Sequence, residues 1–409
     1  MLRNRTGSAP ENTIGNAAGQ PGQFVQTKWS VIFLMLKVDK ISEEIYYSFI
    51  SQADLGNFMQ YPSWAKVKTE WTSDLLGWFT PDKKLVGCGL VLYRKMPCLN
   101  RYLAYCPRGP IIDWQSSNLK EWFEPFLAYL KSKHVFSVKI DPPVVQAKWS
   151  TPIIKKFLEQ AREQGSSGKV LRDLPPDEDY ATAQQVQQQL RQIGWQKQGG
   201  DTGFAATQPE YVYRLPLKGR SLTEIFACFH TNWRRNVKKA ERLGVKVRVG
   251  TEQDLPAFYE LLKVTSERDQ FKVRTFSYFS NLYRSLKAET ADRINLYLAE
   301  DEEELLAATL AVHSNFHSWY LYGASSNVKR EKVPNHAIQW RMIQDAYQLK
   351  AHTYDFRGIS PTLDESDHLF GLLRFKLGFG GEACEMISAW DYPLQPLLHR
   401  AFQLYLKRR

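Results

Sequence analysis

The chain has 409 residues, 43% hydrophobic and 13% aromatic, with 54 lysines and arginines against 43 acids and a formal net charge of +11. That length exceeds one comfortable core and predicts two domains of ordinary size, and the composition excludes a chain disordered throughout. The cationic excess favours polyanionic partners, namely nucleic acid, phosphorylated ligands or an anionic membrane surface, with a merely solvated basic surface as the plain alternative. Residues 1–27, rich in Gly, Asn, Gln and Pro, read as a disordered tail with no apolar run of signal-peptide type. Val31 to Leu36 is far shorter than the roughly 20 residues of a spanning helix. The five cysteines form no CxxC pair; they read as reduced thiols of a cytosolic protein and give no support to a zinc site.

Val31 to Val38 suits a first strand. Ser42 to Gln52 has helical spacing, with Ile45 and Phe49 on one face. Phe58 to Trp64 is a turn into a helix, with Pro62 in its first turn. Leu75–Phe79 and Lys84–Tyr93 read as a strand pair. Arg101–Cys106 is a strand halted by Pro107-Arg108-Gly109-Pro110. Leu119–Lys133 is an amphipathic helix, and Val135–Ile140 a strand ending in Asp141. Pro152 to Gly194 mixes helical stretches with a linker, Gly200–Thr207 is loose, and Tyr211–Leu215 is a short strand. The second half repeats the plan. A long basic helix is expected over Thr223–Leu243, helices over Leu255–Glu267 and Ser277–Leu286, and a strand pair over Arg293–Ala299 and Leu305–His313. An aromatic strand (Ser318–Gly323), a helix (Pro334–Leu349) and a strand (Thr353–Phe356) ending near Asp355 complete it. The parallel between the halves rests on element order alone.

Several motifs carry chemistry. Arg234, Arg235, Lys238, Lys239 and Arg242 share helical spacings with Glu241 as the only acid in their run; the face suits a phosphate backbone, or is simply solvated. Arg108 sits in a rigid turn that either aims at a ligand or only ends a strand. Tyr320 and Tyr322, two apart on a strand, are expected on one face, lining a cleft or packing in a core. Asp355-Phe356-Arg357-Gly358 ends a strand where ligands sit in α/β sheets, or forms a structural ion pair. Arg374 to Gly381 mixes cations and glycines, for an anion or as a turn between strands. It is neither a P-loop nor a dinucleotide loop. No metal-ligand or serine-hydrolase motif is present.

These stretches, together with Gln60-Tyr61-Pro62-Ser63-Trp64-Ala65-Lys66-Val67-Lys68, Tyr105 to Asp113 and Val273 to Phe279, occur in the order found in one family. The chain resembles the Fem family of aminoacyl-tRNA-dependent peptidyltransferases, which build the interpeptide bridge of bacterial peptidoglycan. The resemblance runs from about Val31 to near the C-terminus. It implies an α/β (α+β) fold of two N-acetyltransferase-like domains with a cleft between them. Residues 28–207 plus 388–409 would form the first domain and 208–387 the second. Two departures stand out. The Gln-Pro-Arg that the family often has is Gln208-Pro209-Glu210 here, and Val249 to Lys287 leaves no room for the coiled-coil arm of many members.

The resemblance implies transfer of an aminoacyl group from tRNA to the side-chain amine of the stem peptide of a precursor, either lipid II or UDP-MurNAc-pentapeptide. It implies a monomer in the cytoplasm, without cofactor or metal. Lys66 and Arg274 would hold the precursor's diphosphate, with Arg108, Tyr320 and Tyr322 also binding substrate. Asp141 would bind or deprotonate the amine, and Lys376 with Phe375 would meet the tRNA acceptor end or the oxyanion. The cations Arg234, Arg235, Lys238 and Lys239 are read, from charge alone, as a tRNA surface. The rivals are an acyl-coenzyme A-dependent N-acyltransferase, whose pyrophosphate loop is not found, and a non-catalytic RNA- or membrane-surface-binding protein. Leu397 to Arg409 reads as a packed terminal helix, with contact to an anionic membrane as the alternative.

Overall fold

The structure is a computed structural model, and it describes residues 35–54, 56–97, 99–164, 168–198, 208–302 and 304–407. The expected tail, the start of the first strand and the loose stretch at 200–207 lie outside the described residues. The first half contains β1 (Lys37–Lys40), α1 (Glu43–Ile50), α2 (Pro62–Val67), β2 (Thr72–Phe79), β3 (Leu85–Lys95), β4 (Tyr102–Cys106), α3 (Leu119–Ser132), β5 (Val135–Ile140), β6 (Val145–Ser150), α4 (Thr151–Gln164), β7 (Glu178–Asp179), α5 (Ala181–Ile193) and β8 (Gln196–Lys197). The second contains β9 (Tyr211–Pro216), α6 (Leu222–Ala227), α7 (Thr231–Arg242), β10 (Lys246–Val249), α8 (Leu255–Asp269), α9 (Phe276–Glu289), β11 (Ile294–Asp301), β12 (Glu304–Ser314), β13 (His317–Ser325), α10 (Pro334–Gln348), β14 (Thr353–Gly358), α11 (Phe370–Leu377), β15 (Glu382–Met386), β16 (Trp390–Tyr392) and α12 (Pro396–Lys407).

Two mixed sheets result, ordered β1-β2-β3-β4-β5-β16-β8 and β10-β11-β12-β13-β14-β9-β15-β6-β7. In each, three antiparallel pairings lead to a parallel pair, β4 with β5 and β13 with β14, whose crossover carries a helix, α3 or α10. Parallel neighbours need such a crossover, so this shared order is the physical form of the parallel between the halves. The boundary at 207/208 is crossed by the chain. β6 and β7 come from the first half yet extend the second sheet through β15. β16 comes from the C-terminal end yet pairs with β5 in the first sheet.

One apolar core belongs to both halves. Tyr46, Phe58 and Trp64 pack in the same buried cluster as Phe258, Phe279, Leu310 and Trp319. Burying side chains of this size contributes about 1.5–3 kcal/mol each, so α1 and α2 are held against α8, α9 and β13 mainly by packing. Polar contacts fix the register: Ser63 N donates to Glu289 Oε1 at 3.0 Å, and Asn281 Nδ2 donates to Lys66 O at 3.1 Å.

Three expectations need correction. The basic helix is two helices, broken between Ala227 and Thr231. The break docks elsewhere: Phe229 is buried, His230 N donates to Gly378 O at 2.8 Å, and the His230 ring accepts from Asn232 N to cap α7. Arg374 to Gly381 is not a turn between strands; it is the end of α11 followed by the entry to β15. Finally, Tyr320 and Tyr322 do not share a face. Ala311 pairs with Tyr320 and Leu310 with Tyr322, so Leu321 is an extra residue in β13. Such a bulge resets the alternation. Tyr320 therefore packs on the side of Tyr354 and Met342, and Tyr322 on the side of Phe279. Among the described residues no helix is long and apolar enough to cross a membrane.

Candidate functional site

The parallel pairing of β13 with β14 ends at Trp319 and Asp355. Beyond that point the strands part, and Arg357 adopts a φ of +67°. Two groups of polar side chains meet here.

The inner group is buried and ionic. Arg214 Nε donates to Asp355 Oδ2 at 3.1 Å, and the Arg357 amide donates to Asp355 Oδ1 at 2.6 Å. Burial raises the Asp355 pKa, but His317, Arg214 and Arg357 overcome it and hold the carboxyl well below its usual range. The expected Asp355–Arg357 ion pair is thus a backbone contact: the Arg357 guanidinium reaches Gln208 Oε1 at 2.9 Å instead. Lys376, on α11, is 3% exposed and donates from Nζ to Gly358 O at 2.7 Å. Burial lowers its pKa to about 7; Asp355 opposes the shift and Arg357 adds to it.

The first half contributes Asp141 and Arg108. Asp141 follows β5 directly and accepts from the Arg108 amide at 2.5 Å and from Tyr105 Oη at 2.8 Å. Burial raises its pKa, against the pull of Arg108. Arg108 is buried with φ +49°, and its Nη2 donates to Pro209 O at 2.8 Å. Its own pKa is lowered by burial first, with Arg357 and Arg214 adding to this. Arg108, Asp141, Arg214, Asp355, Arg357 and Lys376 therefore act on one another electrostatically, although they come from both halves of the chain.

The outer group surrounds Tyr278. The Arg274 guanidinium lies 4.9 Å from the Tyr278 ring centroid, and Lys68 Nζ lies 4.7 Å from that of Trp64 and 5.9 Å from that of Tyr278. Burial and the neighbouring Arg274 lower the Lys68 pKa to about 8. Tyr322 hydrogen-bonds Tyr278 and meets the Phe279 ring at 5.0 Å. Lys66 stands apart, exposed and paired with Glu43 at 3.1 Å. The cation that α2 brings to Arg274 is thus Lys68, which sequence reasoning missed. Its signal was the spacing of four from Trp64, a helical neighbour able to hold an ammonium over its ring. Arg357 joins the two groups, since its charge acts on Tyr278 as well as on Lys376.

Tyr320 stays on the far side of the bulge, where burial raises its pKa to about 12. Phe375 packs among Trp233, His336 and Phe379. Trp233 Nε1 donates to Phe375 O at 3.1 Å, tying the basic helix α7 to the helix that carries Lys376. Arg234 is turned back onto Ala227 O and Thr231 Oγ1. Arg235, Lys238 and Arg242 are exposed and form no ion pair among the described residues. Glu210 faces Arg172 at 3.2 Å and Lys197 at 3.7 Å. Among the described residues no group of His, Cys, Asp or Glu could hold a metal ion.

A buried lysine lowered towards neutrality thus stands beside a buried aspartate, among charged groups drawn from both halves of the chain. The chain belongs to the FemAB family, which it matches over residues 41–300 and 285–407. Similar curated proteins include the lipid II:glycine glycyltransferase of Staphylococcus epidermidis, 26% identical over 88% of this chain and 93% of that one. That of Staphylococcus aureus is 25% identical over 87% and 93%. The crystal structure of FemX shares the fold, with a TM-score of 0.73 at 23% identity over 89% of this chain and 99% of the other.

Proposed function

We infer that the protein transfers an aminoacyl group from aminoacyl-tRNA to the side-chain amine of the stem peptide of a peptidoglycan precursor, lipid II or UDP-MurNAc-pentapeptide. The reaction takes place in the cytoplasm, in a cleft between two N-acetyltransferase-like domains, with the armless form of the fold. The observation that carries this reading is Lys376: buried, near neutrality, and set against Asp355 and Arg357.

The ester of aminoacyl-tRNA needs no further activation, so the protein's tasks are orientation, deprotonation of the ammonium and stabilisation of the tetrahedral oxyanion. Asp141, its carboxyl raised by burial, takes the proton of the acceptor ammonium. The freed amine attacks the ester carbonyl; the oxyanion forms beside the Lys376 ammonium. Collapse of the intermediate expels the ribose oxygen, which takes the second proton from the attacking nitrogen and leaves a neutral amide, and the proton held by Asp141 passes to solvent. Lys68 and Arg274 hold the diphosphate between two aromatic rings, with Lys66 as an outer cation. Tyr322 and Arg108 orient the peptide, Tyr320 backs the strand, Phe375 lies against the acceptor end, and Arg235, Lys238 and Lys239 with Arg234 attract the tRNA body.

The test is the purified protein with a pool of charged tRNAs and both precursors, read by mass spectrometry. An added aminoacyl mass on one precursor is expected. Acyl transfer from acyl-coenzyme A instead, or tRNA binding without transfer, overturns the reading.

A further inference from the structure

The terminal helix α12 has two different faces. One is packed: the His399 ring meets Ser137 Oγ at 2.8 Å, Phe402 meets Phe136 at 5.4 Å, and Gln403 donates to Asp391 at 3.0 Å. The other carries Leu397, Arg400 and Leu404, spaced three and four apart and so aligned along the helix. Leu397 is 83% exposed and Leu404 59%. A globular surface rarely places leucines so openly on one stripe.

The stripe has neighbours of the same character. Arg101 Nε donates to Gln395 Oε1 at 3.2 Å, which sets the β3–β4 hairpin, with Leu99 46% exposed, beside the start of α12. Tyr102 N donates to His134 O at 3.2 Å, which brings in the last turn of α3 with Lys131 and the loop after it with Lys133. Residues 94–101, 131–134 and 396–406 contain no aspartate or glutamate, while Lys95, Arg101, Lys131 and Arg400 supply cations, joined by Arg94 and Lys133, which pair at 3.8 Å with Glu70 and Asp74 outside these segments. Gln395 N donates to Phe136 O at 2.9 Å, near the start of β5. Asp141 lies past the other end of that strand, so this surface is separate from the candidate site.

We propose that the exposed face of α12, with the Leu99 hairpin and the loop after α3, docks the protein on an anionic phospholipid bilayer. The leucines enter the boundary between headgroups and acyl chains while the cations lie among the lipid phosphates. Charge complementarity selects this occupant: acid-free segments around open leucines fit a negative, apolar-cored surface. A second copy would bring like charge to like charge.

The test is flotation of the full-length protein with vesicles of phosphatidylcholine alone or mixed with phosphatidylglycerol. Binding is expected only to the mixed vesicles and is reduced by high salt. The double variant Leu397→Glu, Leu404→Glu should weaken it by at least about tenfold, and Arg400→Glu by about fivefold. Circular dichroism and aminoacyl transfer to a soluble acceptor should match the parent, because these side chains point to solvent. Absence of parent binding, or equal binding by the double variant, overturns the proposal. A parent dimer in sedimentation that the double variant dissolves, or a loss of tRNA affinity in that variant, also overturns it and assigns the surface to a second copy or to tRNA. Vesicle binding without any transfer would refute the proposed reaction and leave the docking surface standing.

Discussion

The side-chain amide of Gln60 donates to the carbonyl oxygen of Pro107 at 2.6 Å, while its Oε1 accepts from the Leu90 amide at 2.9 Å. A buried glutamine thereby clamps the turn that sets Arg108 against Asp141. Gly109 passes directly over it: a Cβ there would stand 2.7 Å from Gln60 Cδ. Gln60→Ala leaves the Leu90 amide without its acceptor in the interior, which costs about 1–3 kcal/mol. The expected outcome is that loss in urea unfolding, together with a fall in turnover larger than the change in either Michaelis constant.

Lys376 sets an alkaline limb. The ammonium is the form that stabilises an oxyanion, so turnover should fall as pH rises through about 7, the value to which burial lowers this group. Arg357→Gln removes a charge that depresses it and should move the midpoint upward. Lys376→Met should lower turnover by about 10²–10³-fold. The same shift acts on stability. The folded pKa lies below the unfolded one of about 10.4, so the unfolded chain binds the extra proton and the lysine destabilises most below pH 7. Lys376→Met should therefore gain on the order of a few kcal/mol at neutral pH, less the lost bond to Gly358, and that gain should vanish towards pH 10.

Lys68 and Arg274 form the proposed diphosphate grip. Alanine at either position should raise the precursor's Michaelis constant by about tenfold or more, with little change for aminoacyl-tRNA. Lys66→Ala, which releases only an exposed pair with Glu43, should have the smaller effect. Steady-state kinetics with each substrate varied in turn decides this; equal effects on both substrates would refute the assignment.

Arg235, Lys238 and Arg242 of α7 face solvent. Lys238→Gln with Arg242→Gln should raise the Michaelis constant for aminoacyl-tRNA, leave that of the precursor unchanged, and reduce the salt slope of tRNA binding by about 1–2. An unchanged slope would mean that the helix face is only solvated.

Asp355 anchors Arg214 in the interior. Its folded pKa lies below the unfolded value of about 3.9, so its stabilisation is present above that value and is lost as pH falls below about 4. Asp355→Asn leaves the guanidinium uncompensated and should cost about 3–5 kcal/mol at pH 7. The difference from the parent in chemical denaturation should narrow as the solution is acidified.

Much of this was legible because it is local. Ser42 announces the start of α1 by capping it, and the strand pairs fall close to their expected places. What was not legible depends on distant partners. In α1, apolar residues occur nearly all round; the buried face falls on Tyr46 and Ile50, while Ile45 is 49% exposed. The break between α6 and α7 follows from Phe229 seating against Trp340 and Phe379, which no propensity encodes. The bulge at Leu321 leaves one trace, Gly323, where a Cβ would collide with the Tyr320 hydroxyl. Alternation alone therefore placed two tyrosines together that the backbone separates.

The exchange of strands between the sheets has a consequence for synthesis. Ile140 emerges early, yet its partner Trp390 follows about 250 residues later, tens of seconds at the usual pace of about 5–20 residues/s. During that interval β5 presents an unpaired, apolar edge, the kind of surface that recruits other chains. β6 waits in the same way for β15, so both sheets are completed only as the C-terminal end of the chain is made. A chain stopped short of β16 would carry its site aspartate at the end of an open strand.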